Sequence, residues 1–268
     1  MAEIINIGVA GAAGRMGRRI IALAQASGRF TVTAALDRAG SEHAGKDAGV
    51  LAGAEPIGVK IAATLDTAPQ VLIDFSAPQA TARLIDVCRE QRIGMVIGTT
   101  GLTAAEHQYI DRAAADIAIL QATNTSLGVH VLLAAAARIA RELGPEYDIE
   151  VVETHHRHKK DAPSGTAKSI VEAICAATGR SPAEHVAHGR HGAAALREPK
   201  SIGVHSLRMG DVVGEHTVYF ATEGERVSVG HVATTRDTFA HGALRAAEFI
   251  SRQRPGRYGM AQVLGLEH

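Results

Sequence analysis

The chain has no tryptophan, and aromatic residues make up only 3% of its 268 positions. That scarcity argues against the stacking platforms that grip single-stranded nucleic acid. It also lacks net charge, because 28 basic and 28 acidic residues cancel. No standing positive field is available for wrapping nucleic acid or for a polybasic hold on a membrane. Only two cysteines occur, Cys88 and Cys175. They cannot make a disulfide framework or a four-thiolate zinc site, and read as buried thiols in a reducing compartment. No apolar run approaches the ~18–20 residues of a membrane span. The first residues read directly as a strand, without a basic segment leading into an apolar one, so a cytoplasmic location is expected. The final Leu266-Glu267-His268 reads as an expression-tag stub and carries no functional weight.

Histidine, by contrast, is abundant, at 14 residues, and the surface potential should therefore respond to pH near neutrality. Apolar runs at 4–10, 30–36, 71–75, 95–97 and 117–120 read as buried strands. Helical periodicity fills 15–26, 78–90 and 103–115 between them. Strands alternating with helices predict βαβ units and a parallel sheet covered on both faces. Beyond residue 125 the pattern changes. A long Ala/Leu/Val helix at 126–143 precedes a strand at 147–153 and a helix at about 165–177. Residues 180–200 read as a long loop, and period-two runs at 201–207, 214–222 and 225–231 read as antiparallel strands before a last helix at 238–250. The expected architecture is α/β: a parallel-sheet domain over 1–125 and 236–268, and a smaller mixed α+β domain over 126–235.

Gly11-Ala12-Ala13-Gly14-Arg15-Met16-Gly17 follows the first strand and opens a helix. Glycines there permit a tight turn and let the backbone approach a pyrophosphate, which the helix N-terminus attracts. The spacing is G-x-x-G-x-x-G, a variant of the dinucleotide fingerprint, and no phosphate-loop lysine follows. An acid about 20 residues on binds ribose hydroxyls in such folds. Asp37 stands at the end of the second strand, and Arg38 beside it could face a 2′-phosphate, which leaves NADH and NADPH both open. Gly98-Thr99-Thr100 and Ala122-Thr123-Asn124-Thr125 follow later strands, where small polar residues suit a nicotinamide ribose and amide.

The most informative stretch is Glu153-Thr154-His155-His156-Arg157-His158-Lys159-Lys160-Asp161-Ala162-Pro163-Ser164-Gly165-Thr166. Six consecutive basic-type residues in a neutral chain repel one another unless an anion fills them. The amides of Gly165 and Thr166 open a helix and can bind a carboxylate. A small dicarboxylate fits both halves. Three rival readings are a zinc site on His155 and His158, which lacks further ligands nearby, a Ser164 nucleophile, which lacks the strand-turn-helix elbow, and a plain solvated basic loop. No metal is expected.

These motifs, with Asp74-Phe75-Ser76, Val96 to Gly101 and Gly210-Asp211-Val212-Val213-Gly214-Glu215-His216, stand in order along essentially the whole chain. Together the sequence resembles the 4-hydroxy-tetrahydrodipicolinate reductase (dihydrodipicolinate reductase) family of the diaminopimelate route to lysine. The resemblance implies a Rossmann-like domain, a substrate-binding and oligomerisation domain, and a homotetramer. It implies His155 and Lys159 as catalytic residues, and His156, Gly165 and Thr166 as substrate contacts. It also implies cofactor contacts at Gly11, Ala12, Ala13, Gly14, Arg15, Met16, Asp37, Gly98, Thr99, Thr100, Ala122, Thr123, Asn124 and Thr125. Two departures stand out: Lys160 replaces a small apolar residue, and Thr125 stands where an aromatic is common in the family. The implied reaction sends hydride to ring C4 and a proton from Lys159 or His155. A dinucleotide-binding sensor without turnover, and a reductase acting on another small anion, are the competing readings.

Overall fold

The computed structural model describes residues 4–266, so Glu267 and His268 of the suspected tag stub lie outside the described residues. The chain divides into two compact units, Met1–Leu127 with Asp237–His268, and Gly128–Arg236. No described helix is long and apolar enough to cross a membrane.

The first half runs β1 (Ile5–Ala10), α1 (Arg15–Ser27), β2 (Phe30–Leu36), α2 (Ala48–Leu51), β3 (Ile61–Ala62), β4 (Val71–Asp74), α3 (Pro78–Gln91), β5 (Gly94–Ile97), α4 (Ala104–Ala113) and β6 (Ala118–Gln121). Then come α5 (Leu127–Leu143), β7 (Asp148–His155), α6 (Gly165–Thr178), α7 (Pro182–His185), β8 (Val186–His188), β9 (Ile202–Arg208), β10 (Gly214–Thr222) and β11 (Glu225–Ala233). The chain closes with α8 (Asp237–Ile250), β12 (Gly256–Tyr258) and α9 (Met260–Leu264).

In the first unit seven strands lie in the order β12-β6-β5-β4-β1-β2-β3, every neighbouring pair parallel. Their near-continuous apolar character follows from burial on both faces. Ile7, Val9, Ile73 and Val96 form one core with Ile20, Ile21 and Ala24 of α1 and Ala243, Ala247 and Ile250 of α8. Leu72, Met95, Ile97 and Ile119 form another with Ile85, Cys88 and Ile110. Helix ends follow local chemistry. Thr103 and Glu106 make a reciprocal capping box at α4, and α1 stops at Gly28 in the left-handed conformation. The strand order reverses beside β1, where β2 lies on one side and β4 on the other. The glycine loop leaves the sheet at that reversal, the place where open α/β sheets bind ligands.

The second unit has a five-stranded sheet in the order β11-β10-β7-β9-β8. Its core joins Val151, Val204, Val218 and Phe220 to Ile170 and Ile174 of α6 and Leu132 and Ala136 of α5. Two expectations are corrected here. The 201–207 run is not antiparallel: β9 pairs parallel with both β7 and β8. The 180–200 segment is not wholly loop, since it carries α7 and β8. The chain returns to the same end of the sheet twice, through α6 before β8 and through residues 189–201 before β9, and each return makes a parallel neighbour.

Candidate active site

In the first unit the glycine loop is packed to its limit. A Cβ on Gly11 would lie 2.4 Å from Phe75 O, at φ +74°, and one on Gly17 would lie 2.2 Å from Gly11 O. These positions admit no side chain without moving backbone. Gly14 caps α1 without a side-chain hydrogen bond, so the donors of the first turn are left for an anion. A cleft of about 690 Å³ is lined by Gly11, Gly14, Asp37, Arg38, Ser76 and Arg83, among others. Asp37 sits at the end of β2 with Oδ1 accepting from Arg38 N at 2.8 Å and Oδ2 from Ser41 Oγ at 3.2 Å. Glycines without room for Cβ, an uncapped helix start and an oriented acid fit a dinucleotide. Gly17→Ala is expected to weaken cofactor binding by about tenfold or more, because the helix start must shift away from the phosphates; fluorescence titration with NADH measures it.

The other candidate cofactor residues are spread along the loops. Arg15 and Thr100 are exposed, Ala13 and Met16 are half-buried, and Ala12 is buried, its N–H donating to Leu36 O. Gly98 packs on Phe75: a Cβ there would lie 2.3 Å from the ring. Thr99 is buried beneath it. At the end of β6, Ala122 N donates to Ile97 O and Thr123 is exposed. Asn124 accepts from Ser126 N through its side chain. Thr125 is 2% exposed and its hydroxyl donates to Phe239 O at 2.7 Å. That side chain serves the packing of α8, so the change from an aromatic at this position is answered by a local hydrogen bond.

In the second unit the catalytic candidates gather around a carboxylate that sequence reasoning did not single out. Glu153 is fully buried on β7. Its Oε1 accepts from Ser164 N and Arg208 Nη2, and its Oε2 accepts from Arg208 Nη1 at 2.9 Å. Burial pushes its pKa up, but the hydrogen bonds from Arg208, His155, Ser206 and Ser164 win and hold it at about 2. His155 Nδ1 lies 2.6 Å from Glu153 Oε2. Burial lowers the His155 pKa against the pull of Glu153, with Lys159 and Arg208 adding to the lowering. A neutral imidazole beside an ionised carboxylate must donate through Nδ1, which makes Nε2 an acceptor.

Sheet register builds this group. His155 pairs with Arg208 across β7 and β9, and Glu153 pairs with His216 across β7 and β10. His216 is 4% exposed, stands edge-on to His155 at 5.2 Å, and its Nε2 lies 3.0 Å from Ser164 Oγ. Ser164 in turn caps α6 by accepting from Ala167 N. Its hydroxyl oxygen is therefore engaged in capping. Gly165 and Thr166 open α6, the positive end of a 14-residue helix. Lys159 Nζ pairs with Asp161 Oδ1 at 2.9 Å, and His156 is half-buried with its ring 6.4 Å from that of His158. Lys160 is exposed. Among the described residues no group of three or more His, Cys, Asp and Glu is placed to hold a metal ion.

Burial pushes His216 down to about 4 from the ordinary 6.5, with the neighbouring His155 charge adding to it. The unfolded chain therefore takes up this proton below pH 6.5, while the folded chain resists until about 4. Stability falls as pH drops through that window, by roughly 3 kcal/mol for this group. Glu153 acts lower: its contribution is whole above 4.5 and is lost as pH falls towards 2. Urea midpoints of His216→Gln are expected to be flatter than those of the unmodified chain between pH 6.5 and 4, and to fall alongside them below that.

A glycine loop at a sheet reversal, with a second unit holding a histidine, a lysine and the first turn of α6, defines a nicotinamide-dependent α/β oxidoreductase. The sequence places it more narrowly. The family described as dihydrodipicolinate reductase, N-terminus, matches residues 5–125, and its C-terminal counterpart matches residues 128–264. The chain belongs to the dihydrodipicolinate reductase family. It is 47% identical over 266 residues to the 4-hydroxy-tetrahydrodipicolinate reductase of Anaeromyxobacter sp. (strain Fw109-5), covering 98% of each chain. It is 47% identical over 265 residues to that of Nitrosospira multiformis, again covering 98% of each. Its fold is similar to the dipicolinate-bound dihydrodipicolinate reductase from Paenisporosarcina sp. TG-14, with TM-score 0.76 and 21% identity, covering 97% of this chain and 98% of that one. It is also similar to GenD2 from gentamicin A biosynthesis in complex with NAD, with TM-score 0.62 and 13% identity, covering 99% of this chain and 92% of that one.

Proposed function

We propose that the protein reduces 4-hydroxy-tetrahydrodipicolinate to tetrahydrodipicolinate with NADH or NADPH, in the diaminopimelate route to lysine. A bound reduced nicotinamide supplies the hydride. The substrate loses its 4-hydroxyl as water, leaving a ring double bond conjugated with the imine. Hydride adds at C4, the electron pair moves through the ring towards nitrogen, and a proton then lands on the carbon next to C4. The residues of the second unit carry the rest. His156 and the Gly165 and Thr166 amides hold the two carboxylates, converting binding energy into orientation. His155, kept neutral, is an acceptor at Nε2 and orients the bound ring. Lys159 is the proton donor. His155 and Lys159 remain the catalytic pair, with the acid role assigned to the lysine.

The observation that carries this reading is the buried, ionised Glu153 fixing His155 as a neutral acceptor within reach of the Lys159 charge. On the first unit the same reading puts Gly11 to Met16 on the pyrophosphate, Asp37 and Arg38 on the adenosine ribose, and Gly98 to Thr100 with Ala122 to Thr125 near the nicotinamide. It has the protein as a cytoplasmic homotetramer. Val227 and Val232, exposed on β11, support an apolar contact there, and light scattering gives the mass. The function is tested by the absorbance of the reduced nicotinamide, with each cofactor and freshly generated 4-hydroxy-tetrahydrodipicolinate. A substrate-dependent fall is expected. Folded protein that binds cofactor and gives no fall would remove the assignment and favour the sensor.

A further inference from the structure

Behind the wall of the first unit's cleft lies a carboxylate with no assigned task. Asp74 ends β4 and is fully buried. Val71, Leu72 and Ile73 before it are buried too, as are Val96 and Ile97 on the neighbouring strand. Among the described residues no cation pairs with it; its carboxylate bonds only to hydroxyls and one amide. Burial pushes the Cys88 thiol close by up to about 12, and the Asp74 charge adds to that rise. An apolar side chain of the same shape would be less costly here if filling space were the only need.

The partners of Asp74 point to another need. Oδ1 accepts from Ser76 N at 2.9 Å and from Ser76 Oγ at 2.5 Å. Oδ2 accepts from Thr81 Oγ1 at 2.6 Å. Ser76 lies in the turn after β4 and Thr81 near the start of α3, so one side chain ties the turn to the helix. Ala77, at the cap of α3, makes no side-chain bond that could do so. The main chain ties in two more loops. Asp74 O accepts from Gly98 N at 2.8 Å and lies 3.5 Å from Thr99 Oγ1. Phe75 N donates to Ala10 O at 3.1 Å, at the head of the glycine loop. Phe75 then stands between both loops: its carbonyl closes on Gly11 and its ring on Gly98. Phe75, Ser76 and Ala77 line the cleft with Gly11 and Gly14.

We propose that Asp74 is a positioning residue for the cofactor, a hydrogen-bonded brace that sets the Phe75–Ala77 turn and, through Phe75, the spacing of the glycine loop and the Gly98 loop. The proposal rests on the dinucleotide reading of the first unit and deepens it. With both glycines closed against Phe75, the two loops have no slack to absorb a shift of that turn.

The test is equilibrium binding of NADH by the full-length protein, read by fluorescence, beside urea unfolding of the same variants. Asp74→Leu keeps the branched shape and removes every acceptor. It is expected to weaken NADH binding about tenfold or more. Thr81→Val removes one hydroxyl at constant shape and keeps the test open if the leucine variant does not fold. It is expected to weaken binding about threefold. Asp74→Asn should restore affinity to within twofold of the unmodified chain. Its amide oxygen can accept from Ser76, and its NH2 can donate to Thr81 Oγ1, whose own proton turns to Ala77 O, 3.3 Å away. Variants that unfold at lower urea yet bind NADH as the unmodified chain does would overturn the proposal and leave the dinucleotide reading standing. Asparagine as weak as leucine would also overturn it, since charge rather than bracing would then be at work. An unmodified chain that binds neither NADH nor NADPH would remove the dinucleotide reading and this role with it. The expected binding pattern in protein that fails to consume the nicotinamide with substrate would uphold the brace and remove the proposed reaction.

Discussion

Lys159→Ala is expected to lower kcat by about 10²- to 10⁴-fold, the range spanned by loss of a positioned general acid. The affinity for NADH should stay within twofold, because the residues read as holding the cofactor belong to the other unit. The reason for so large an effect is the state of the alternative donor. His155 is buried and its proton at Nδ1 is committed to Glu153, so it has none to give at Nε2 near neutral pH. Nothing else in the group takes over: His216 is neutral down to about pH 4. Lys159→Arg separates charge from proton transfer. A guanidinium keeps the positive charge that attracts a dicarboxylate but does not release its proton. KM near that of the unmodified chain with kcat still depressed is the expected pattern. Steady-state kinetics of both variants decide it, and a rise in KM with kcat within threefold would show that Lys159 only binds.

Glu153→Gln is expected to damage both folding and turnover. The amide is nearly isosteric, so packing is kept and the electrostatics change alone. Arg208 loses the charged partner that both of its terminal nitrogens reach. Breaking one side of a buried pair costs roughly 3–5 kcal/mol, because the remaining charge stays buried without compensation. The amide also brings a donor to the position that His155 Nδ1 now meets. If its NH2 faces the imidazole, the proton must move to Nε2, and the ring turns from acceptor to donor. A fall in kcat of about 10²-fold or more follows from the wrong tautomer, as it does for other oriented catalytic histidines. Urea unfolding and single-turnover measurements read the two effects separately. Unchanged stability would mean that Glu153 is not the hub of this cluster.

The parallel sheet was legible because burial on both faces leaves apolar runs in the sequence, as at Ile73 and Val96. The elements that periodicity missed are too short to show a period: β3, β8 and β12 have two or three residues each, α2 and α7 four, and α9 five. The direction of β9 was misread for another reason. Alternation reports which face a residue points to, not which way the chain runs, and direction follows from the returns through α6 and through residues 189–201. The site divides along the same line. His155, His156, Lys159, Gly165 and Thr166 lie within one short segment and announce themselves by charge and by the helix start. Glu153 stands at the head of that segment, and its placement on the buried face of β7 was the available signal. Arg208 and His216 come from distant strands and reach Glu153 only through register, which no local pattern encodes. Thr125 adds a contact of the same hidden kind: its position near a strand end suggests a ligand contact, and its hydroxyl also donates to Phe239 O, a partner that only tertiary packing supplies.

The split of the first unit along the chain bears on the order in which the protein is made. Ala240, Ala243, Leu244, Ala246, Ala247 and Ile250 of α8 complete the core around β1, β4 and α1, and β12 adds to the sheet beside β6. A ribosome delivers these pieces last. The continuous second unit, with its own core on α5 and α6, has all its parts out of the exit tunnel first and can fold while the first 127 residues are still waiting. The glycine loop is therefore among the earliest residues synthesised, yet its scaffold is finished only when nearly the whole chain has emerged. A nascent chain halted before α8 would expose Ile20, Ile21 and Val96 to chaperones and proteases. Premature termination near residue 236 should thus yield a protein whose second unit survives digestion and whose first unit does not.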